Sequence, residues 1–74
     1  MTLNKIMPSV KKFRLNEMTD FLFVKNIPYT RELVEWTTAN HPCDNTEIDI
    51  WLEDGFIQIF YDINGELLRY EDGN

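Results

Sequence analysis

Apolar and polar residues alternate along the C-terminal part of the chain, in three runs separated by two turn dipeptides. In chain order these are residues 47–53, Asp54-Gly55, residues 56–62, Asn64-Gly65 and residues 66–71. Alternation of this kind is typical of a strand with one buried face. Asp-Gly and Asn-Gly favour two-residue hairpin turns because both positions tolerate positive φ. The sequence therefore predicts a three-stranded antiparallel meander.

Both turns assign the same apolar residues to one face of this meander. The first turn places Leu52 opposite Ile57, and the second places Ile59 opposite Tyr70. Opposed residues point to the same side of a sheet, and a slip of one residue would move a set to the other side. The predicted core face consists of Ile48, Ile50, Leu52, Ile57, Ile59, Tyr61, Leu68 and Tyr70.

A helix is predicted over residues 31–40, immediately before the meander. Thr30 has the residue type of a helix N-cap, and Pro42 cannot continue a helix. Leu33 and Trp36 fall on one face at helical spacing. We expect this face to cover the core face of the meander.

The N-terminal segment leaves two interpretations open. Residues 10–15 alternate, and residues 20–25 are rich in aromatic and β-branched side chains, so together they predict a hairpin. The alternative is a helix over residues 16–25, with Met18 and Leu22 on one face. The hairpin is the favoured interpretation.

These elements define a small α+β fold with a single domain over residues 1–74. Residues 1–8 are weakly patterned and are interpreted as a flexible arm that is ordered only where it docks. A chain of this length hides only about 60% of its unfolded surface when it folds. A catalytic cleft would take a large share of such a thin core, so the length favours a binding module over an enzyme.

The net charge of −6 is distributed unevenly along the chain. Residues 1–31 hold six basic and two acidic residues, whereas residues 32–74 hold one basic and eleven acidic residues. Such asymmetry often indicates a partner of opposite charge. If the two halves interleave in the fold, the asymmetry has no such meaning.

Two features of the sequence restrict the class of protein. A single Cys excludes an internal disulfide, so the chain is not a disulfide-stapled secreted scaffold. The longest apolar run, residues 21–24, is too short for a membrane-spanning helix or a signal peptide. We therefore expect a cytoplasmic protein with no membrane contact.

The second face of the predicted meander combines aromatic and acidic side chains. Trp51, Phe56 and Phe60 fall near its middle on adjacent strands, surrounded by carboxylates. An exposed apolar patch usually marks a contact surface. The predicted partner-binding residues are Glu47, Asp49, Trp51, Glu53, Phe56, Phe60, Asp62 and Glu71. The N-terminal hairpin, a second copy of the chain or a foreign protein could cover them.

No group of residues has the types and spacing that a catalytic site requires. His41 and Cys43 are the chain's only residues of their types, too few for a zinc site and poorly spaced for a nucleophile pair. We expect no enzyme activity, no metal and no cofactor. Lys11, Lys12 and Arg14 form a small cationic group, but the overall negative field repels a polyanion. Direct nucleic-acid binding is therefore not expected.

Size and charge together indicate a protein-binding module. The favoured hypothesis is an inhibitor that occupies the basic, nucleic-acid-binding surface of a partner, such as a nuclease. Small acidic inhibitors of this type occur among phage anti-CRISPR and anti-restriction proteins and among immunity proteins of nuclease toxins, and the similarity is one of type rather than motif. The alternative is a small subunit or homodimer with an apolar aromatic interface and no inhibitory role.

Overall fold

In a computed structural model, which describes residues 1–35 and 44–73, two helices cover one face of a four-stranded antiparallel sheet. The elements are α1 (Leu3–Lys12), α2 (Leu15–Val24), β1 (Tyr29–Glu35), β2 (Asp44–Leu52), β3 (Gly55–Tyr61) and β4 (Leu67–Gly73). The strands lie side by side in the order β1-β2-β3-β4, each antiparallel to the next. The predicted α+β class is confirmed.

The first hairpin of the meander forms with a different register from the predicted one. β2 and β3 pair Leu52 with Gly55, where the sequence predicts Ile57 opposite Leu52. The turn residues are therefore Glu53 and Asp54, neither of which has a positive φ, and Gly55 takes the positive φ of 150° after the turn. Because the shift is by two residues, every side chain still points to its predicted face.

The second hairpin keeps the predicted register over most of its length. Ile59 lies opposite Tyr70, as the Asn-Gly turn predicts. Next to the turn, Tyr61 pairs with Leu67 rather than with Leu68, because the register shifts at an irregularity between residues 60 and 61. The mismatch is local, since such a bulge adds one unpaired residue and lets the remaining ladder continue.

The helix predicted over residues 31–40 is wrong where the structure describes it. Tyr29–Glu35 is the edge strand β1, which pairs with β2 along seven residues. Thr30 carries a local helix-cap signal, but pairing with β2 satisfies those backbone groups of the segment that face the neighbouring strand. The rest of the predicted helix falls in residues 36–43, outside the described residues.

The N-terminal hairpin predicted over residues 10–15 and 20–25 is wrong, and most of both segments is helical. α2 matches the alternative interpretation closely, and its Met18 and Leu22 are fully buried. The hairpin therefore does not cover the aromatic face of the meander, because both helices pack on the opposite side.

Residues 3–8, interpreted from the sequence as part of a flexible arm, lie in α1. Ile6 and Val10 stand one turn apart on this helix, and both are fully buried. Pro8 lies inside α1 on its exposed side. A proline in a helix interior removes one backbone hydrogen bond, which hides the helical pattern from sequence reasoning.

Each helix begins at one of the hairpin turns of the sheet. The Leu3 N–H donates to Asp54 Oδ1 at 3.0 Å. The Leu15 N–H donates to the Gly65 carbonyl oxygen at 2.9 Å. These are the first residues of α1 and α2, whose N–H groups have no partner inside the helix. The two turns thus hold both helices over one face of the sheet.

A left-handed residue ends α2 and directs the chain into β1. Asn26 has a φ of 57°. Its N–H donates to the Phe23 carbonyl at 3.1 Å, and the Ile27 N–H donates to the Leu22 carbonyl at 3.0 Å. This pair of bonds is the Schellman motif, which satisfies the last carbonyls of a helix.

The core lies between the two helices and one face of the sheet, as the turns predict, except that Leu67 rather than the predicted Leu68 packs against it. Its fully buried members are Ile6, Val10, Met18, Leu22, Ile48, Ile50, Ile57, Ile59 and Tyr61. The Tyr61 hydroxyl is buried and has no hydrogen-bond partner among the described residues. Burial therefore raises the pKa of Tyr61.

Candidate functional site

The sheet surface opposite α1 and α2 is the open face of the molecule. Strand pairing places on it the side chains of Thr30, Glu32, Val34, Asn45, Glu47, Asp49, Trp51, Phe56, Gln58, Phe60, Arg69 and Glu71. Six of the eight predicted partner-binding residues are among them. No described helix packs against this surface.

Val34 pairs with Asn45 at one end of the open face, and its other ten residues, with Gly73, form three rows across the strands. The first row is Glu32, Glu47, Phe60 and Arg69, the second is Thr30, Asp49, Gln58 and Glu71, and the third is Trp51, Phe56 and Gly73. The first two rows are mostly acidic and polar. The third row is aromatic and lies at one end of the sheet.

Carboxyl groups crowd the first two rows. Glu32 lies directly opposite Glu47, and Asp49 follows two residues later on β2. A hydrogen bond with Asp49, partial burial and the negative charges of Asp49 and Glu32 raise the pKa of Glu47 to about 7, against an opposing effect of Arg69. Asp49 Oδ1 is buried and has no hydrogen-bond partner among the described residues.

Phe60 lies on the open face but offers little surface of its own. Its side chain is only 7% exposed. The Arg69 guanidinium lies 4.2 Å from the centre of its ring, at cation–π distance, and is also paired with the Glu71 carboxylate. Phe60 therefore supports Arg69, and the exposed large apolar side chains of this face are Trp51 and Phe56.

Trp51 and Phe56 are paired across β2 and β3 and are 50% and 42% exposed. The Phe56 ring lies close against Gly73 on β4, where an added Cβ would stand 2.6 Å from ring atoms. A side chain at residue 73 would displace the ring, so glycine there lets Phe56 lie across the end of β4. The result is a half-exposed aromatic pair beside the acidic rows.

Two of the predicted site residues lie in turns, away from the open face. Glu53 is in the β2–β3 turn, with Oε1 3.6 Å from the amino group of Met1. Asp62 Oδ1 accepts hydrogen bonds from the N–H groups of Asn64 and Glu66, both at 2.9 Å. These carboxylates stabilise the chain locally, and the open face does not include them.

Sequence reasoning missed Glu32, which extends the acidic surface onto β1. Its position follows only from the pairing of β1 with β2. Polar and apolar residues occur on both sides of β1, at Arg31 and Leu33 on one side and at Glu32 and Val34 on the other. No alternation in the sequence indicates this strand.

The structure gives no sign of a metal centre or a membrane span in the residues that it describes. No three His, Cys, Asp or Glu side chains of residues 1–35 and 44–73 are grouped so that they could hold a metal ion. Over the same ranges, no helix has the length and apolar character needed to cross a membrane. His41 and Cys43 lie outside the described residues.

The two layers of the fold carry opposite charge. Residues 1–28, which form the helical layer and the link to β1, hold five basic and two acidic residues. Residues 29–74, which include the sheet, hold two basic and eleven acidic residues. The asymmetry along the sequence is therefore an asymmetry across the molecule, and folding does not cancel it.

Comparisons with known proteins identified no relative of this chain. No protein-family model, curated protein or solved structure matches the chain.

Proposed function

We propose that this chain is a small protein-binding module whose open face occupies a basic surface of a partner protein. The observation that supports it is the half-exposed Trp51–Phe56 pair beside crowded carboxyl groups, on a sheet face that no described helix covers. The opposite face has two helices over it and a closed core. The open face thus combines a half-exposed aromatic pair with crowded carboxyl groups.

The aromatic pair would supply the anchor of such an interface. Trp and Tyr are enriched among the residues that dominate binding energy, and they act best where neighbouring groups exclude water. Trp51 and Phe56 are preplaced by strand pairing and by the contact of Phe56 with Gly73. Little side-chain freedom is then lost when a partner covers them.

The acidic rows indicate a basic partner. The pKa of Glu47 is raised by the hydrogen bond with Asp49, by partial burial, and by repulsion from the negative charges of Asp49 and Glu32. A Lys or Arg from a partner would relieve this repulsion by pairing with the carboxyl groups that remain exposed. Repulsion among these carboxyl groups therefore destabilises the free protein, and a cation of the partner would remove that repulsion.

The finer proposal is that the module inhibits a protein that handles nucleic acid. Clefts that bind nucleic acid are lined with Lys and Arg that contact phosphates a few ångströms apart. Carboxylates on neighbouring strands have comparable spacing. Occupying such a cleft would block nucleic acid directly, as inhibitors of the phage anti-CRISPR, anti-restriction or nuclease-immunity type do.

The test is capture of the partner by the tagged chain from nuclease-treated extracts of its source cells. Trp51→Ala with Phe56→Ala, and Glu47→Gln with Asp49→Asn, should each reduce capture by tenfold or more, about 1.4 kcal/mol. Matched controls alter the helical layer. Phe23→Ala removes an aromatic side chain that is 81% exposed, and Asp20→Asn removes an exposed acid on α2. Both controls should capture normally.

The captured partner then tests the inhibitory role. Its nucleic-acid binding, measured by mobility shift, should be lost on adding the chain and retained with the double variants. Capture that depends on nucleic acid, or equal loss with Phe23→Ala and Asp20→Asn, contradicts the proposal. If only the aromatic variants matter and the captured species is the chain itself or a larger assembly, the small-subunit or homodimer function replaces it.

A further inference from the structure

A pocket of about 560 Å³ opens at the end of the sheet where β1 begins and β2 ends. Its lining includes Lys5 of α1, Lys25, Ile27 and Pro28 of the link between α2 and β1, and Trp51 and Glu53 at the end of β2. Pockets that bind small molecules typically enclose about 300–1,000 Å³. The pocket thus has room for a small ligand.

Main-chain contacts fix the walls of this pocket. The Trp51 N–H donates to the Pro28 carbonyl, and the Glu53 N–H donates to the Met1 carbonyl, both at 3.3 Å. Asn26, in its left-handed conformation, holds the link between α2 and β1 in place. Three parts of the chain therefore meet here in one arrangement.

The lining is positively charged although the chain as a whole is acidic. Neither Lys5 nor Lys25 forms an ion pair with another described residue. The acid of the lining, Glu53, already lies 3.6 Å from the amino group of Met1. Two ammonium groups therefore remain available to an anion at this pocket.

The rest of the lining is apolar and partly aromatic. The Trp51 side chain is half exposed, and Pro28 and the buried Ile27 lie beside it. A flat ring gains contact area and stacking energy on an indole. The lysines thus favour a ligand with an anionic group, and the indole favours one with a flat ring.

We propose that this pocket binds a small ligand in which an anionic group is joined to a flat ring, as in a mononucleotide or an aromatic carboxylate. The ring packs on Trp51, and the anionic group lies between Lys5 and Lys25. This proposal does not depend on the proposed function. Trp51 is common to both sites, but the two lysines belong to the helical layer and its link and lie away from the open face.

The test is a titration of the ¹⁵N-labelled full chain with AMP and, separately, indole-3-acetate, followed by NMR. Adenosine, with a ring and no charge, and inorganic phosphate, with a charge and no ring, are the controls. At least one of the two complete ligands should give saturable shifts at the Trp51 indole and at the Lys5, Lys25 and Asn26 amides. Adenosine and phosphate should bind several-fold more weakly. Binding of AMP but not indole-3-acetate would indicate a nucleotide as the ligand. Binding of indole-3-acetate but not AMP would indicate an aromatic carboxylate.

Charge variants locate the anionic group. Lys5→Gln and Lys25→Gln should each weaken binding about threefold, as expected for one exposed charge pair. Lys11→Gln removes the same charge from an exposed position of α1 outside the pocket and should change nothing. No saturable shift with either ligand, phosphate binding as tightly as AMP, or an equal effect of Lys11→Gln overturns the proposal. Capture of a protein partner by Lys5→Gln and Lys25→Gln should stay normal in every case.

Discussion

Glu47 is the residue whose ionisation most depends on its neighbours. Its pKa is raised from 4.5 to about 7 in the folded chain, through the hydrogen bond with Asp49 and the nearby negative charges. The folded state therefore binds this proton more tightly than the unfolded state does. The stability from this group is fully present below pH 4.5 and is lost as the pH rises through about 7.

Glu47→Gln should remove this pH dependence. The amide keeps a hydrogen-bond donor for Asp49 and carries no charge, so the variant should be more stable than the native chain at pH 8. Urea unfolding at intervals from pH 4.5 to 8 measures the effect. Glu66→Gln, an exposed acid near the β3–β4 turn, is the control and should retain the native profile. A Glu47→Gln profile parallel to the native one would contradict the raised pKa of Glu47.

The sequence predicts which residues share the face of the candidate site. It does not predict how exposed their side chains are or which groups they contact. Alternation places Trp51 and Phe56 on one face, and the two-residue shift of register leaves that unchanged. The burial of Phe60 depends on the position taken by the Arg69 side chain. The role of Asp62 depends on two backbone N–H groups of its own turn. Such side-chain contacts have no signature in the hydrophobic pattern.

Among the elements, the two C-terminal hairpins could be predicted, α2 is predicted only as the alternative interpretation, and α1 is not predicted. A hairpin is specified by adjacent residues, namely its turn and its alternating flanks. The first N–H group of α1 donates to the side chain of Asp54, which is 51 residues away along the chain. Pro8 further obscures its pattern. β1 is stabilised by β2 rather than by its own sequence.

Asp54→Ala tests the contact that begins α1. Loss of the acceptor for the Leu3 N–H should destabilise the chain by about 1 kcal/mol, as for other helix N-caps. Asp54→Asn keeps an acceptor oxygen and should recover most of that loss. Urea unfolding measures both. Equal destabilisation by the two variants would mean that the carboxylate acts through its charge or in the turn rather than as a cap.

At the scale of the whole molecule, the two layers form an electric dipole across the sheet. The helical layer has an excess of basic residues and the sheet an excess of acidic ones. A basic surface approaching in solution is attracted by the open face and repelled by the helices. Encounters are therefore oriented before contact, within a distance of about 10 Å at ordinary salt.

Association with the proposed basic partner should consequently depend on salt through its rate. The association rate constant should fall about tenfold or more between 20 and 300 mM NaCl, with little change in the dissociation rate constant. Trp51→Ala should do the opposite and mainly speed dissociation. Surface plasmon resonance with the captured partner separates the two constants. An association rate that is unaffected by salt would favour the apolar interface of a small subunit.

The contacts between the helix starts and the hairpin turns also determine an order of events. Helices of ten residues, such as α1 and α2, are marginal in water on their own. Asp54 and Gly65 each lie in a hairpin turn, so we expect each to bind Leu3 or Leu15 once its own hairpin has closed. The helices therefore consolidate after the sheet, although their residues are synthesised first. Early in refolding, amide exchange should protect β3 before it protects α1, and a nascent chain should hold stable helices only once residue 65 has emerged from the ribosome.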